Sequence, residues 1–113
     1  MSVDLIVLKP TDPSADELSE VESVSPLGTT ASVSLAFNNV FPGCSERPFI
    51  IGEEFAVELS LSGEPVESAH LALRFGNSWS EKSKAQFHTL LSQVCLSLGG
   101  IAFAVSDNTK VAP

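Results

Sequence analysis

The chain has 113 residues, 43% of them hydrophobic, and a formal net charge of −8 at pH 7. That length gives one domain able to bury a real core, and that hydrophobic content excludes disorder. The acidity argues against nucleic acid and anionic membranes, whose phosphates require clustered Lys and Arg.

The charge is unevenly placed. Residues 1–67 carry twelve acids and two bases, Lys9 and Arg47, for a sum of −10; residues 68–113 carry two acids and four bases, for a sum of +2. Acids keep a small protein soluble, and they also steer it toward a basic partner. The N-terminus has no basic stretch and only a short apolar run, so no signal peptide is expected there. No apolar run approaches the length of a membrane helix. Both points lead to the expectation of a cytoplasmic protein, with export by a signal-free route left open.

In chain order, Val3 to Leu8 is a short, β-branched apolar run ending at Lys9-Pro10. It reads as a buried strand. Ser14 and Glu17 then have the spacing of a capping box, and Pro13 suits a first helical turn. The segment behind them offers only Leu18 and Val21 for burial, so a brief helix and an ordered acidic loop both stand. Asp16 and Glu20 are its candidate partner-binding acids.

Thr29 to Phe41 supports two readings. As a strand, Ala31, Val33, Leu35 and Phe37 alternate; as a helix, Val33, Phe37, Val40 and Phe41 fall at i, i+4, i+7 and i+8. Asn38-Asn39 is poor strand chemistry, and Thr29 or Thr30 can cap a helix. The helix is the preferred reading. Phe49-Ile50-Ile51 reads as a short edge strand.

Glu54 to Phe75 alternates strictly about Gly63-Glu64-Pro65 and reads as an antiparallel hairpin. Phe55, Val57, Leu59 and Leu61 form one face, matched by Ala69, Leu71, Leu73 and Phe75. A three-residue connection places Val57 opposite Leu71, Glu58 opposite His70 and Glu54 opposite Arg74. Those opposite-sign pairs on the outer face support the register.

Residues 79–98 give a helix. Ser78 and Glu81 have capping-box spacing, and Phe87, Leu90, Leu91, Val94 and Leu98 form one apolar stripe. Gly99-Gly100 supplies a left-handed stop. Ile101, Phe103 and Val105 alternate with Ala102 and Ala104, a last strand with both faces at least partly covered. Residues 106–113 read as a frayed tail.

The expected architecture is therefore α+β: a mostly antiparallel sheet of four to five strands with two helices on one face. The ferredoxin-like split β-α-β arrangement is one member of that class.

No stretch carries a chemical signature. The glycines sit at turns or close a helix, so no phosphate loop is present. His88 and Cys95 are seven residues apart, about 10 Å along a helix, too far to share a proton. Cys44 and Cys95 fit no metal or redox spacing and read as buried thiols. Adjacent carboxylates such as Glu53 and Glu54 alternate faces in a strand and do not converge. Neither a cofactor nor a metal is expected.

What remains is surface: Glu54, Glu58, His70 and Arg74 on the outer sheet face, and Trp79, the sole tryptophan. Trp79 is either a packing contact at the sheet edge or an anchor for a partner. With Asp16 and Glu20 these are the candidate partner-binding residues. The leading expectation is a non-enzymatic module binding another protein, one of basic character. A homo-oligomer, a homo-dimer being the simplest, and a small-ligand-binding protein or enzyme stand as alternatives.

Pro26-Leu27-Gly28-Thr29, Phe41-Pro42-Gly43 and Leu73-Arg74-Phe75-Gly76 together resemble a group of small uncharacterised bacterial cytosolic proteins, some of immunity or toxin-neutralising type. The likeness covers roughly residues 26–107. The chain departs from that pattern in having no Trp after Phe41-Pro42-Gly43 and no Gly-rich run after Arg74. The resemblance implies a helix at residues 29–41 and carries over no site residue.

Overall fold

The computed structural model describes residues 2–12 and 14–113. The helix-start role expected of Pro13 lies outside the described residues. The first strand, β1 (Ser2–Pro10), lies centrally, with the remaining strands built out on either side of it. After it come β2 (Val24–Ser25), α1 (Thr30–Val40), β3 (Phe49–Ile51), β4 (Phe55–Ser62) and β5 (Ser68–Phe75). The chain ends with α2 (Glu81–Leu98), β6 (Ile101–Ala104) and β7 (Thr109–Ala112). Six strands run β3-β4-β5-β1-β6-β7 across the sheet, β2 pairs the end of β1, and every pairing is antiparallel.

The sheet thus has seven strands rather than four to five. Two of the additions were not legible as strands. β2 is only two residues long, and β7 was expected to be a frayed tail. Ala112 is instead fully buried and pairs with Ala102. A Thr-Lys-Val-Ala run has too little apolar content to announce itself; pairing with β6 makes it a strand.

Residues 30–40 are helical. Thr29 caps α1 by accepting the Ser32 backbone N–H, and Val33, Phe37 and Phe41 are buried at helical spacing. α2 starts two residues later than expected. Ser80, not Ser78, is its cap: the Ser80 hydroxyl accepts the Ser83 N–H, and the Ser83 hydroxyl accepts the Ser80 N–H. Gly99 ends α2 at φ +69°, a left-handed conformation that glycine adopts without steric cost.

Both helices pack on one face, over a core of Leu5, Val7, Val57, Ala69, Leu71 and Leu73 from the strands and Val33, Phe37, Phe87, Leu91 and Val94 from the helices. On the other face Leu8, Ile101 and Phe103 are also buried, at the β1–β6 end. A strap, residues 11–12 and 14–23, closes over that end. It is tied at its base by Thr11 and Ser23 and at its tip by Asn108, whose carbonyl and side-chain amide oxygens accept the Leu18 and Ser19 N–H groups. Of the two readings left open for this segment, its described residues take the ordered loop rather than the brief helix. Only Leu18–Glu20 makes a 3-10 turn, capped by Glu17 and Glu20, while Ser14 bonds Asp12 instead.

The hairpin holds its alternation but not its expected register. Val57 lies opposite Leu73, Glu58 opposite Ala72, Ser60 opposite His70 and Ala56 opposite Arg74. The connection is residues 63–67, five residues rather than three, because Val66 leaves the hairpin for the core. It is fully buried, its N–H donates to the Gly28 carbonyl at 2.8 Å, and its carbonyl accepts the Leu27 N–H at 2.8 Å. A shift of two residues leaves every side chain on its original face, so apolar matching cannot distinguish the two registers.

Candidate functional site

With both helices on one side and the strap covering only the β1–β6 end, the opposite face of β3, β4, β5 and β1 is left open. Cross-strand pairing lays it out in rows. Asp4, Ala72 and Glu58 form the middle row; Ser2, Arg74, Ala56 and Ile50 lie on one side of it, and Ile6, His70 and Ser60 on the other. The small side chains of Ala56 and Ala72 make the centre flat. Ile50 is 65% exposed at its β3 margin.

The charged groups of this face pair diagonally rather than directly across. Arg74 Nη2 donates to Glu58 at 3.2–3.3 Å, and His70 Nε2 lies 3.6 Å from Asp4 Oδ1. Such exposed pairs contribute roughly 0–1 kcal/mol each. Their larger consequence is local neutralisation. Arg74 and His70, the two basic side chains of the face, each already have an acidic neighbour. Beside the face, the strap carries Asp12, Asp16, Glu17, Glu20 and Glu22, all exposed. Asp12 is held below the usual carboxylate range by hydrogen bonds from the Ser14 hydroxyl and N–H.

Of the residues singled out from sequence, Glu58, His70 and Arg74 come together on this open face, with Asp4 as a member that pattern reading missed. Its signal was available: alternation from Leu5 and Val7 places Asp4 outward on a central strand. Asp16 and Glu20 sit on the strap, where the Glu20 carboxylate accepts the Asp16 and Glu17 N–H groups. Glu54 does not belong to the face. It precedes β4 in a turn, and its carboxylate accepts the hydroxyl of buried Ser83 at 2.9 Å, close to the N-terminus of α2. The favourable helix-end field there suits a carboxylate. Trp79 is also on the helix side, just before the Ser80 cap, with its ring 4.6 Å from Phe75 and 5.8 Å from Phe55.

A second feature lies between the sheet and α2. Leu5, Leu73 and Ala104 floor a cavity of about 330 Å³, with Trp79, Phe87 and Leu91 among its walls. It is the apolar space that the packing of α2 leaves unfilled.

Other chemistry finds no arrangement. Cys44 and Cys95 are buried free thiols, and burial pushes them up to about 11 and about 12. Cys44 belongs to the helix-side core, whereas His70 faces the opposite side of the sheet. His88 Nε2 hydrogen-bonds the Val111 carbonyl, so it donates there. Among the described residues, no cluster of three His, Cys, Asp or Glu side chains has the geometry to hold a metal ion. Nor is any helix among them long and apolar enough to cross a membrane.

Comparison with known protein families, with curated proteins and with solved structures finds no match.

Proposed function

We propose that this protein is a non-enzymatic binding module that engages a basic partner protein through the open sheet face and the acidic strap beside it. One observation carries the reading: four strands expose a flat face on which Arg74 is already paired with Glu58 and His70 lies beside Asp4, next to a strap of exposed acids. The net field over that side is negative, and complementary fields accelerate and orient encounter. An immunity or inhibitor role toward a basic toxin or enzyme is the specific form this takes. The cytoplasm is the compartment it suits, and the resemblance to immunity-type proteins leans the same way.

The core's assignment to the ferredoxin-like split β-α-β class is supported by its connectivity. β1, α1, β4, β5, α2 and β6 follow one another with sheet order β4-β5-β1-β6. That order puts both helices on one face and leaves the other for binding.

Immobilised protein should retain basic proteins from a cell lysate at low salt and release them at high salt, since exposed charges separated by more than about 8 Å are screened at physiological ionic strength. Retention that is insensitive to salt contradicts the reading.

A second reading, self-association through the same face, rests on Ile50 and Val105. Both are exposed, on β3 and just after β6, where alternation sets them on the open side. Leu35 and Leu96 are exposed singly on the helices, which is ordinary for surface leucines. Light scattering across a concentration series separates the two readings. A monomer at low and high salt favours the basic partner, and a salt-insensitive dimer favours self-association.

A further inference from the structure

We infer that the cavity between α2 and the sheet is a binding site for a small amphipathic monocarboxylate, its apolar body on Phe87 and Leu91 and its carboxylate at Lys84. The volume, about 330 Å³, lies at the lower end of the range for small-molecule pockets. Its floor is apolar strand surface, and Ala104 there is too small to reach the helix. α2 contributes Lys84, Phe87, His88 and Leu91, which at i, i+3, i+4 and i+7 form one stripe facing the cavity.

That stripe sets the polarity of the ligand. An apolar chain lying along Leu91 and Phe87 leads one turn back to Lys84 at the mouth. Lys84 takes part in no ion pair among the described residues, so its ammonium is available to a carboxylate. His88 is already engaged: its Nε2–H donates to the Val111 carbonyl at 2.9 Å, tying β7 to α2 and closing one side of the cavity. Asp107 lines the rim as well. Its charge disfavours a second negative group and limits the ligand to one.

Trp79, the sole tryptophan, lines the cavity and reports occupancy by its fluorescence. Three probes of equal chain length separate the head group from the body: octanoate, octanamide and octylammonium. Octanoate should shift the Trp79 emission, raise the melting temperature, and bind about tenfold tighter than octanamide, as expected for one charge-assisted contact. Lys84→Gln, at an exposed position, should leave the fold intact and bring octanoate and octanamide to equal affinity. Ala104→Leu should fill the floor and abolish binding of every probe; if that variant does not fold, Val111→Phe closes the cavity from its rim instead. Equal binding of octanoate and octanamide by the wild type would overturn the inference. So would tighter binding of octylammonium, the absence of any Trp79 response, or undiminished binding in the filled variant.

Discussion

Ser80 and Ser78 are two residues apart, and only the first holds a helix end. The Ser80 hydroxyl satisfies the Ser83 N–H, one of the donors that the first turn of α2 would otherwise leave unpaired. Ser80→Ala should therefore cost about 1 kcal/mol in chemical denaturation, whereas Ser78→Ala should stay within about 0.5 kcal/mol of wild type. Equal effects would misplace the cap. Sequence spacing pointed to Ser78 because Glu81 stands three residues beyond it. Ser83 is an uncommon reciprocal partner, and Glu54, from a different element, completes its hydrogen bonding.

The two thiols give a pH dependence whose sign is fixed by burial. Desolvation raises Cys44 from 9.0 to about 11 and Cys95 from 9.0 to about 12. In the unfolded chain both ionise near 9.0, so the stability tied to their neutral forms is complete below pH 9 and is lost as pH rises toward 11 and 12. The protein contains no tyrosine, which leaves lysines and these thiols as the side chains titrating in that window. Thermal melts between pH 8 and 11 should show falling stability, and Cys95→Ala should flatten the decline relative to wild type. An unchanged slope would remove Cys95 from the explanation.

At the scale of elements, the helices and strands were legible where periodicity is long. The α2 stripe and the alternation of β4 and β5 were read correctly, and the Val33–Phe37–Phe41 spacing pointed to a helix at α1. The hairpin register was not legible, because a period of two repeats every two residues. What selects the actual register is the non-local pairing of Val66 with Gly28 and Leu27, about which the local pattern is silent. Val66→Ala should destabilise the protein by about 2 kcal/mol, the expected loss for a buried valine. A similar truncation at exposed Val105 should have little effect.

Gly76 is a second non-local constraint. A Cβ there would stand 1.9 Å from the Glu53 carbonyl oxygen, because the Gly76 and Ser78 N–H groups bond the Glu54 and Glu53 carbonyls. Gly76→Ala must displace backbone and should cost about 1–3 kcal/mol. Denaturant melts of both variants check the account of how the hairpin is tied down; a wild-type midpoint for either would contradict it.

For the whole molecule, the division of labour is between a covered face and an open one. The sequence revealed the acidic excess and three of the charged residues on the open face, but could not reveal that Glu54 and Trp79 turn to the helix side. Their places depend on how the turn before β4 meets the start of α2. The side that remains is flat and bordered by acids on a pinned strap, so the partner proposed for it would dock there with little ordering cost. The cavity on the helix side is structurally separate, so occupancy there and binding at the open face can be tested independently.

The central claim is that the open face, not the helix side, meets a basic partner. The most direct test compares proteins retained from lysate by wild type, by Glu58→Lys on the face, and by Gln86→Lys on exposed α2. Each adds positive charge, but only the first places it on the proposed surface. The account predicts that Glu58→Lys loses the salt-sensitive basic proteins that wild type and Gln86→Lys both retain. Equal retention by all three, or a selective loss with Gln86→Lys, would contradict it.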